Sequence, residues 1–251
     1  MARIAVLILT FNEEKNIEDC IRSAAFADEI IVVDSGSTDA TQELSRALGA
    51  KVVEHPMEGF ADQRNFARQQ TDAEWIFYLD ADERPTEEAG KEIHSLIEKP
   101  EKFAYEICRQ NVVFGQHMHH GAHRPDWSLR LCPRESVKWS GIVHESAAVS
   151  VPVRRMKAEM YHYTYDSWTT YLTKFNRYTT LAAEKLYNDG KRAGLSKLLF
   201  HPPFMFFKMF VLKAGFLDGF LGFAMSVMSG LNVFMKYLKL AELERLAKQK
   251  K

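Results

Sequence analysis

Apolar positions along the chain fall into two rhythms. The runs IAVLIL (4–9), EIIVVD (29–34), KVVEH (51–55) and WIFYLD (75–80) are short, nearly continuous and rich in Val, Ile and aromatic residues. Between them, EEKNIEDCIRSAAFA (13–27), TDATQELSRALGA (38–50) and FADQRNFARQQ (60–70) space their apolar residues as one face of a helix does. A strand that is apolar on both faces has to be covered on both, and alternating helices supply that cover. The pattern predicts an α/β fold over about the first 100 residues, a doubly wound, mostly parallel, Rossmann-like sheet.

After Pro100 the rhythm changes. FAYEICRQNVVFG (103–115) and WSLRLCPR (127–134) are longer mixed runs that predict mixed or antiparallel strands. Helical spacing returns over residues 167–189, where Trp168, Leu172, Phe175 and Tyr178 fall at i, i+4, i+7 and i+10. No internal repeat or low-complexity linker interrupts the chain. The expected organisation is a catalytic-type domain over residues 1–165, divided near residue 100, followed by a helical region over residues 166–251.

From Leu198 to Leu240 the tail is dense in Phe, Leu and Met, with Lys197, Lys208, Lys213, Lys236 and Lys239 spaced among them. Its longest charge-free run, Gly219 to Met235, contains three glycines and falls short of the roughly 20 residues that cross a bilayer. Such helices lie in the membrane interface, apolar face in the acyl boundary and lysines toward anionic headgroups. Packing within a helical subdomain and a true span are the alternatives. Charge changes the picture in the same direction. The chain is formally neutral, which argues against a general nucleic-acid binder, but residues 191–251 carry 11 Lys and Arg against 3 Asp and Glu. The rest carries 22 against 30, an acidic body with a basic tail.

Three cysteines, Cys20, Cys108 and Cys132, show no CxxC pairing, so neither a disulfide framework nor a thiolate zinc site is indicated and a reducing compartment is expected. The first apolar run, Ile4 to Leu9, is too short for a signal-peptide core.

In open α/β sheets ligands bind beyond the carboxyl ends of the strands. Those ends carry Thr10, Phe11, Asn12, Glu13 and Glu14 after the first run, Asp34 to Asp39 after the second, and Asp80, Asp82 and Glu83 after the fourth. Three polar, acidic ends on one rim imply a shared site. Asp80 and Asp82, at i and i+2, point to the same side of an extended chain, and oxygen ligands without thiolate suit Mg2+ or Mn2+. A metal is what lets an acidic rim hold a diphosphate. The alternative is that these acids only cap a following helix, Thr86 to Ile97.

LTFNEEKNIEDCI (9–21), EIIVVDSGSTDAT (29–41) and WIFYLDADE (75–83), in this order and spacing, resemble the inverting family 2 glycosyltransferases with their GT-A nucleotide-sugar domain. The resemblance implies that Thr10, Phe11, Asn12 and Glu13 line the nucleotide pocket and that Asp34 contacts the uracil or ribose. It also implies that Asp82 binds the metal bridging the diphosphate, and that Asp80 faces the ribose or the metal shell. Glu83 is expected to be a solvated neighbour. GFADQRNFA (59–67) also resembles a family element, placing Gln63, Arg64 and Asn65 by the nucleotide, with Arg64 on a phosphate or, alternatively, on a solvated helix face.

HRPDWSLRLCPRESVKWSGIVHESA (123–147) resembles the acceptor half of a subgroup that glucosylates the inner core of bacterial lipopolysaccharide, and GFLDGFLGF (215–223) is similar to a segment those proteins carry. The implied activity is transfer of glucose from UDP-glucose to a heptose with a β-linkage, at the cytoplasmic face of the inner membrane. Inverting transfer needs one base. Glu145 is the candidate, with His144 orienting the site, unless the pair is a structural link at a strand end. Arg130 serves either the acceptor phosphate or the donor diphosphate. His162, in YHYTY, is a further metal ligand or a packed core residue, whereas HMHHGAH (117–123) lacks a recurring zinc spacing. Rival readings are transfer to polyprenyl phosphate or a capsular glycan, a nucleotidyltransferase and a membrane scaffold. TFNEE, where a nucleotidyltransferase carries a basic glycine-rich loop, weighs against the second of these.

Overall fold

In the computed structural model, which describes residues 2–141 and 146–249, the four N-terminal runs become β1 (Ile4–Thr10), β2 (Glu29–Asp34), β3 (Lys51–Glu54) and β4 (Trp75–Asp80). They are parallel, in the order β3-β2-β1-β4. Successive side chains of a strand point to opposite faces, so each central strand feeds two cores. Ile4, Val6, Ile8, Phe77 and Leu79 pack with Ile17 and Ile21 of α1 (Ile17–Ser23) and Ile93 of α4 (Glu87–Ile97). Ala5, Leu7, Leu9, Ile76 and Tyr78 pack on the other face with Ala61 and Ala67 of α3 (Phe60–Arg68). All seven residues of β1 are buried, the double cover that its unbroken apolar run required. α2 (Thr41–Ala47) links β2 to β3.

The chain beyond β4 extends the sheet with the opposite sense. A short β5 (Glu83–Pro85) precedes α4, whose N-cap is Thr86, its hydroxyl accepting from the Ala89 amide. The alternative that Asp80 and Asp82 serve as that cap is therefore overturned: Thr86 already satisfies the orphan amide. β6 (Ala104–Val113), β7 (Gln116–His117), β8 (Trp127–Pro133) and β11 (Val153–Tyr165) complete the order β4-β8-β6-β11-β5, with β7 on β6. Pairings of β4 with β8, β6 with β8 and β5 with β11 are antiparallel, as the mixed runs after Pro100 predicted. β9 (Val137–Ser140) and β10 (Ser146–Val149) form a separate antiparallel pair. His144 and Glu145 lie outside the described residues.

The chain divides into two compact units. One runs to Gln110 and takes in Asp126–His162; the other joins Asn111–Pro125 to the chain from Tyr163 onward. The second contains α5 (Trp168–Asn188), α6 (Leu195–Phe207) continued by a π-helical turn (Lys208–Leu212), and α7 (Gly219–Gln249). Its small core gathers Val113, Met118, Tyr171 and Met225. On α5 the buried residues are Tyr171, Thr179 and Ala183, while Trp168, Leu172 and Tyr178 of the predictive stripe are exposed. α6 and α7 meet at a glycine, since a Cβ on Gly230 would stand 3.0 Å from the Pro202 carbonyl, and a Cβ on Gly222 would clash with the Gly215 carbonyl in the turn just before α7. Asp218, buried just before α7, accepts from the backbone amides of His119 and His120, which fastens the histidine-rich segment 117–120 to this turn.

Candidate active site

The parallel register brings three strand ends side by side. Thr10 pairs with Asp34 across β1 and β2, and Leu9 with Asp80 across β1 and β4. The Thr10 hydroxyl is buried and has no hydrogen-bond partner among the described residues. Beyond it the chain turns at Asn12, whose φ of 54° lies in the left-handed region where a short polar side chain is tolerated. The Asn12 amide donates to the Ser37 hydroxyl at 2.8 Å, and its side-chain oxygen accepts from the Thr38 amide at 2.8 Å. The Glu13 amide donates to Thr41 Oγ1 at 2.8 Å. Asp34, fully buried, accepts from the amides of Gly36 and Ser37 and the side chains of Ser37 and Gln42, which shapes the turn after β2. Phe11 stands exposed on the same loop.

Beyond β4 the acids of LDADE separate into different environments. Glu83 is fully buried rather than solvated, because Arg130 and Arg109, reaching in from β8 and β6, neutralise it. Its second oxygen accepts from the Asp80 amide at 3.1 Å, closing the turn. Asp80 is partly exposed, one oxygen taking the Arg130 guanidinium at 2.7 Å and the other that of Arg64 at 3.2 Å. Arg109 continues the chain of charges to Asp126 at 2.9 Å. The mutual repulsion of Asp80 and Glu83 is thus offset by arginines within the protein. Arg84 pins the same turn, donating to the Ala81 and Glu83 carbonyls and, at 2.6 Å, to that of Asn16.

These environments move the acids in opposite directions. Desolvation pushes the Asp80 carboxyl up, but Arg130 and then Arg64 outweigh it and hold Asp80 well below the usual carboxylate range. Burial pushes Glu83 up despite Arg130, with the charge on Asp80 adding to the rise. Burial disfavours the charge on Arg130, yet Asp80 and then Glu83 reverse this and raise it.

Among the described residues Asp82 pairs with none of these arginines. Its carboxylate lies 3.5 Å from His162 Nε2, on β11, whose backbone pairs in register with Glu83. On α3, Arg64 of the family-like segment joins the cluster, and it is buried rather than on a solvated face. Its guanidinium sits 4.6 Å over the Trp139 ring. Gln63 donates to the His55 and Pro56 carbonyls, and Asn65 exchanges two hydrogen bonds with the backbone of Trp139. The roles of Glu83, Arg84 and Arg109 were missed from the sequence. The signal for Arg109 and Arg130 was present, since an arginine within an apolar strand needs a buried partner.

Residues 5–161 match the family described as Glycosyl transferase family 2. The chain belongs to that family. This glycosyltransferase is 30% identical to an uncharacterized glycosyltransferase of Rickettsia felis, with 100% of this chain and 93% of the relative covered. It is 28% identical to the lipopolysaccharide core biosynthesis glycosyltransferase LpsC of Rhizobium meliloti, over 94% of this chain and 91% of that one. Among solved structures, S. aureus TarS 1–349 superposes with a TM-score of 0.50 at 16% identity, covering 94% of this chain and 91% of that chain, a likeness of fold alone. The glycosyltransferase thus carries a GT-A type α/β domain with the rim of β1, β2 and β4 lined by Thr10, Asp34, Asp80 and Asp82.

Proposed function

We propose that this glycosyltransferase transfers glucose from UDP-glucose, with inversion, to a heptose of the lipopolysaccharide inner core, as a metal-dependent enzyme on the cytoplasmic face of the inner membrane. The observation that carries the metal-dependent reading is the Asp82–His162 pair standing beside an Asp80 whose charge Arg64 and Arg130 already balance. Among the described residues no three His, Cys, Asp or Glu side chains gather as a metal cluster. Two protein donors fit an ion that takes its other ligands from a diphosphate and water, the usual arrangement for a hard cation on a nucleotide. Asp82 and His162 would hold Mn2+ or Mg2+, with Asp80 at the edge of the ligand shell. When bound, that ion would stabilise the negative charge on the departing diphosphate.

The chain's own residues do the rest. The Thr10 hydroxyl and the interlocked loops after β1 and β2 line the nucleoside end, and Asp34 holds the second loop in shape. Arg64 and Arg130 bring positive charge to the rim. Glu145 takes the proton of the acceptor hydroxyl as its oxygen bonds to the anomeric carbon. The bond from that carbon to the diphosphate breaks, and UDP leaves with the electron pair. The lipopolysaccharide acceptor is supported by the name of the LpsC relative, and the membrane location by two C-terminal helices long and apolar enough to cross a membrane by length and composition.

The deciding experiment measures UDP release by purified protein given Mn2+ or Mg2+, truncated-core lipopolysaccharide, and UDP-glucose, UDP-galactose or UDP-N-acetylglucosamine. UDP-glucose is expected to be the best donor. Asp82→Ala is expected to lower turnover roughly a thousandfold without loss of fold. Full turnover of that variant, or of the wild type in EDTA, would sink the metal-dependent reading. Turnover only with polyprenyl phosphate or a capsular glycan would move the acceptor.

A further inference from the structure

In the helical unit the ordinary placement of apolar groups is reversed. Residues Leu195–Leu212 have a mean hydropathy of 1.2, and 0% of the stretch is buried. Phe200, Phe204, Phe207 and Val211 recur at i, i+4, i+7 and i+11, so they form a single exposed stripe, with Phe200 69% accessible. The other side of α6 and its π-helical continuation packs on α7: the Phe206 and Phe210 rings lie 5.9 and 5.7 Å from that of Phe223. A second exposed stripe runs along α7 through Phe220, Leu231, Phe234 and Leu238, and Phe220 is 83% accessible. Phe216 and Leu217, in the turn between the helices, are exposed as well.

Charge says what covers this face. Residues 195–240 contain five lysines and one acid, Asp218. That acid is buried and committed to the His119 and His120 amides, so the exposed charge is cationic. Lys197 and Lys208 are 11 residues apart, three helical turns, and flank the α6 stripe on the same side. Their spacing also decides the orientation. The charge-free run between them, Leu198 to Phe207, is about 15 Å of helix, half the roughly 30 Å hydrocarbon core. A crossing α6 would strand Lys208 in hydrocarbon, whereas a helix lying flat holds both ammonium groups at headgroup level.

We propose that α6, the turn at residues 213–218 and the N-terminal half of α7 form a monotopic face lying flat in the headgroup–acyl boundary of an anionic bilayer. Phe200, Phe204 and Phe220 enter the acyl layer, and Lys197, Lys208 and Lys213 reach the lipid phosphates. The inference rests on the membrane-associated reading above and sharpens it into one surface and one orientation.

The test uses the full chain and vesicles of phosphatidylcholine with or without phosphatidylglycerol. Cys20, Cys108 and Cys132 are buried, so a cysteine placed at Phe200, Phe204, Phe207 or Val211 can be labelled selectively with an environment-sensitive dye. All four labels are expected to brighten on anionic vesicles and to be quenched alike by shallow nitroxide lipids. Depth that increases steadily from one end of α6 to the other would show a crossing helix and overturn the proposal. Phe204→Ser with Phe220→Ser is expected to lower vesicle partitioning about tenfold or more. Val153→Ser, an exposed apolar residue of the sheet unit, is expected to leave it unchanged. Changing Lys197, Lys208 and Lys213 to Ala is expected to abolish the preference for phosphatidylglycerol. If the double Phe variant binds fully while Trp168→Ser on α5 does not, this face is wrong and the membrane reading stands. If the intact protein binds no vesicle, both fail.

Discussion

The sheet unit hides charge and the helical unit displays phenylalanine. At the rim of the sheet, Arg130, Glu83 and Arg64 are almost entirely withdrawn from water, while along α6 not one residue is buried. Both departures are unfavourable in isolation, since a charge is costly out of water and a large apolar patch is costly in it. What makes them tolerable differs. The buried charges carry their own compensation, three arginines against Asp80, Glu83 and Asp126. The displayed phenylalanines have no such internal remedy. One region is self-sufficient, and the other is completed from outside on the membrane reading proposed above.

The sharpest way to break that contrast is to remove the cation at the centre of the cluster. Arg130→Met leaves Asp80 and Glu83 facing each other with less positive charge, and is expected to destabilise the protein by about 3–5 kcal/mol at neutral pH. The pH dependence has a definite sign. Asp80 titrates below its ordinary range in the folded protein, so its contribution is present above about pH 4 and is lost as the pH falls through its folded pKa. Glu83 is raised, so its ionisation weakens the fold as the pH rises above its unfolded value. Without Arg130 the Glu83 effect grows and Asp80 loses its largest stabiliser. The deficit of the variant is therefore expected to shrink as the pH falls from 8 toward 5. Urea unfolding of both proteins at the two pH values measures it, and an equal deficit at both would mean that packing, not charge, holds the cluster.

Much of the self-sufficient region could be read in advance. Unbroken apolar runs such as IAVLIL announce strands covered on both faces, and strand ends of a parallel sheet must share a rim, so the sequence alone puts Thr10, Asp34, Asp80 and Asp82 together, and the register does so for Thr10, Asp34 and Asp80. Glu83 was misjudged because composition cannot say whether an acid following two others is solvated or enclosed. That depends on strands β6 and β8, which arrive from 26 and 47 residues further along. The stripe Trp168, Leu172, Phe175, Tyr178 marked α5 correctly but not what touches it, since periodicity reports which side is apolar and not what lies against it. The resemblance puts Asn65 by the nucleotide, and only the folded chain shows that its bonds run to a strand 74 residues away.

A second pair of changes compares like with like. Phe77, on β4, is fully buried with Phe26 edge-on at 5.8 Å, whereas Phe220 is almost fully exposed. Phe77→Ala is expected to cost about 3 kcal/mol or more by calorimetry in detergent-free buffer. Phe220→Ala is expected to stay within about 0.5 kcal/mol, since it removes few protein contacts. A large loss from Phe220→Ala would mean that α7 is supported from within and would weaken the contrast.

The smallest expected effect tests the edge of the charge cluster. Asn65 imitates a neighbouring strand: its amide donates to the Trp139 carbonyl at 2.8 Å and accepts from the Trp139 amide at 3.0 Å. The ring it steadies is the platform over which Arg64 lies, so Asn65 supports the Arg64–Asp80 pair without joining it. Asn65→Ala leaves one donor and one acceptor of β9 unsatisfied and is expected to cost about 1–2 kcal/mol in urea unfolding. Affinity for UDP, measured by calorimetry, is expected to weaken only a fewfold, because Arg64 keeps its charge and its carboxylate partner. Should UDP binding instead be abolished while stability is unchanged, Asn65 touches the nucleotide directly, and the strand-bracing account of its two hydrogen bonds is wrong.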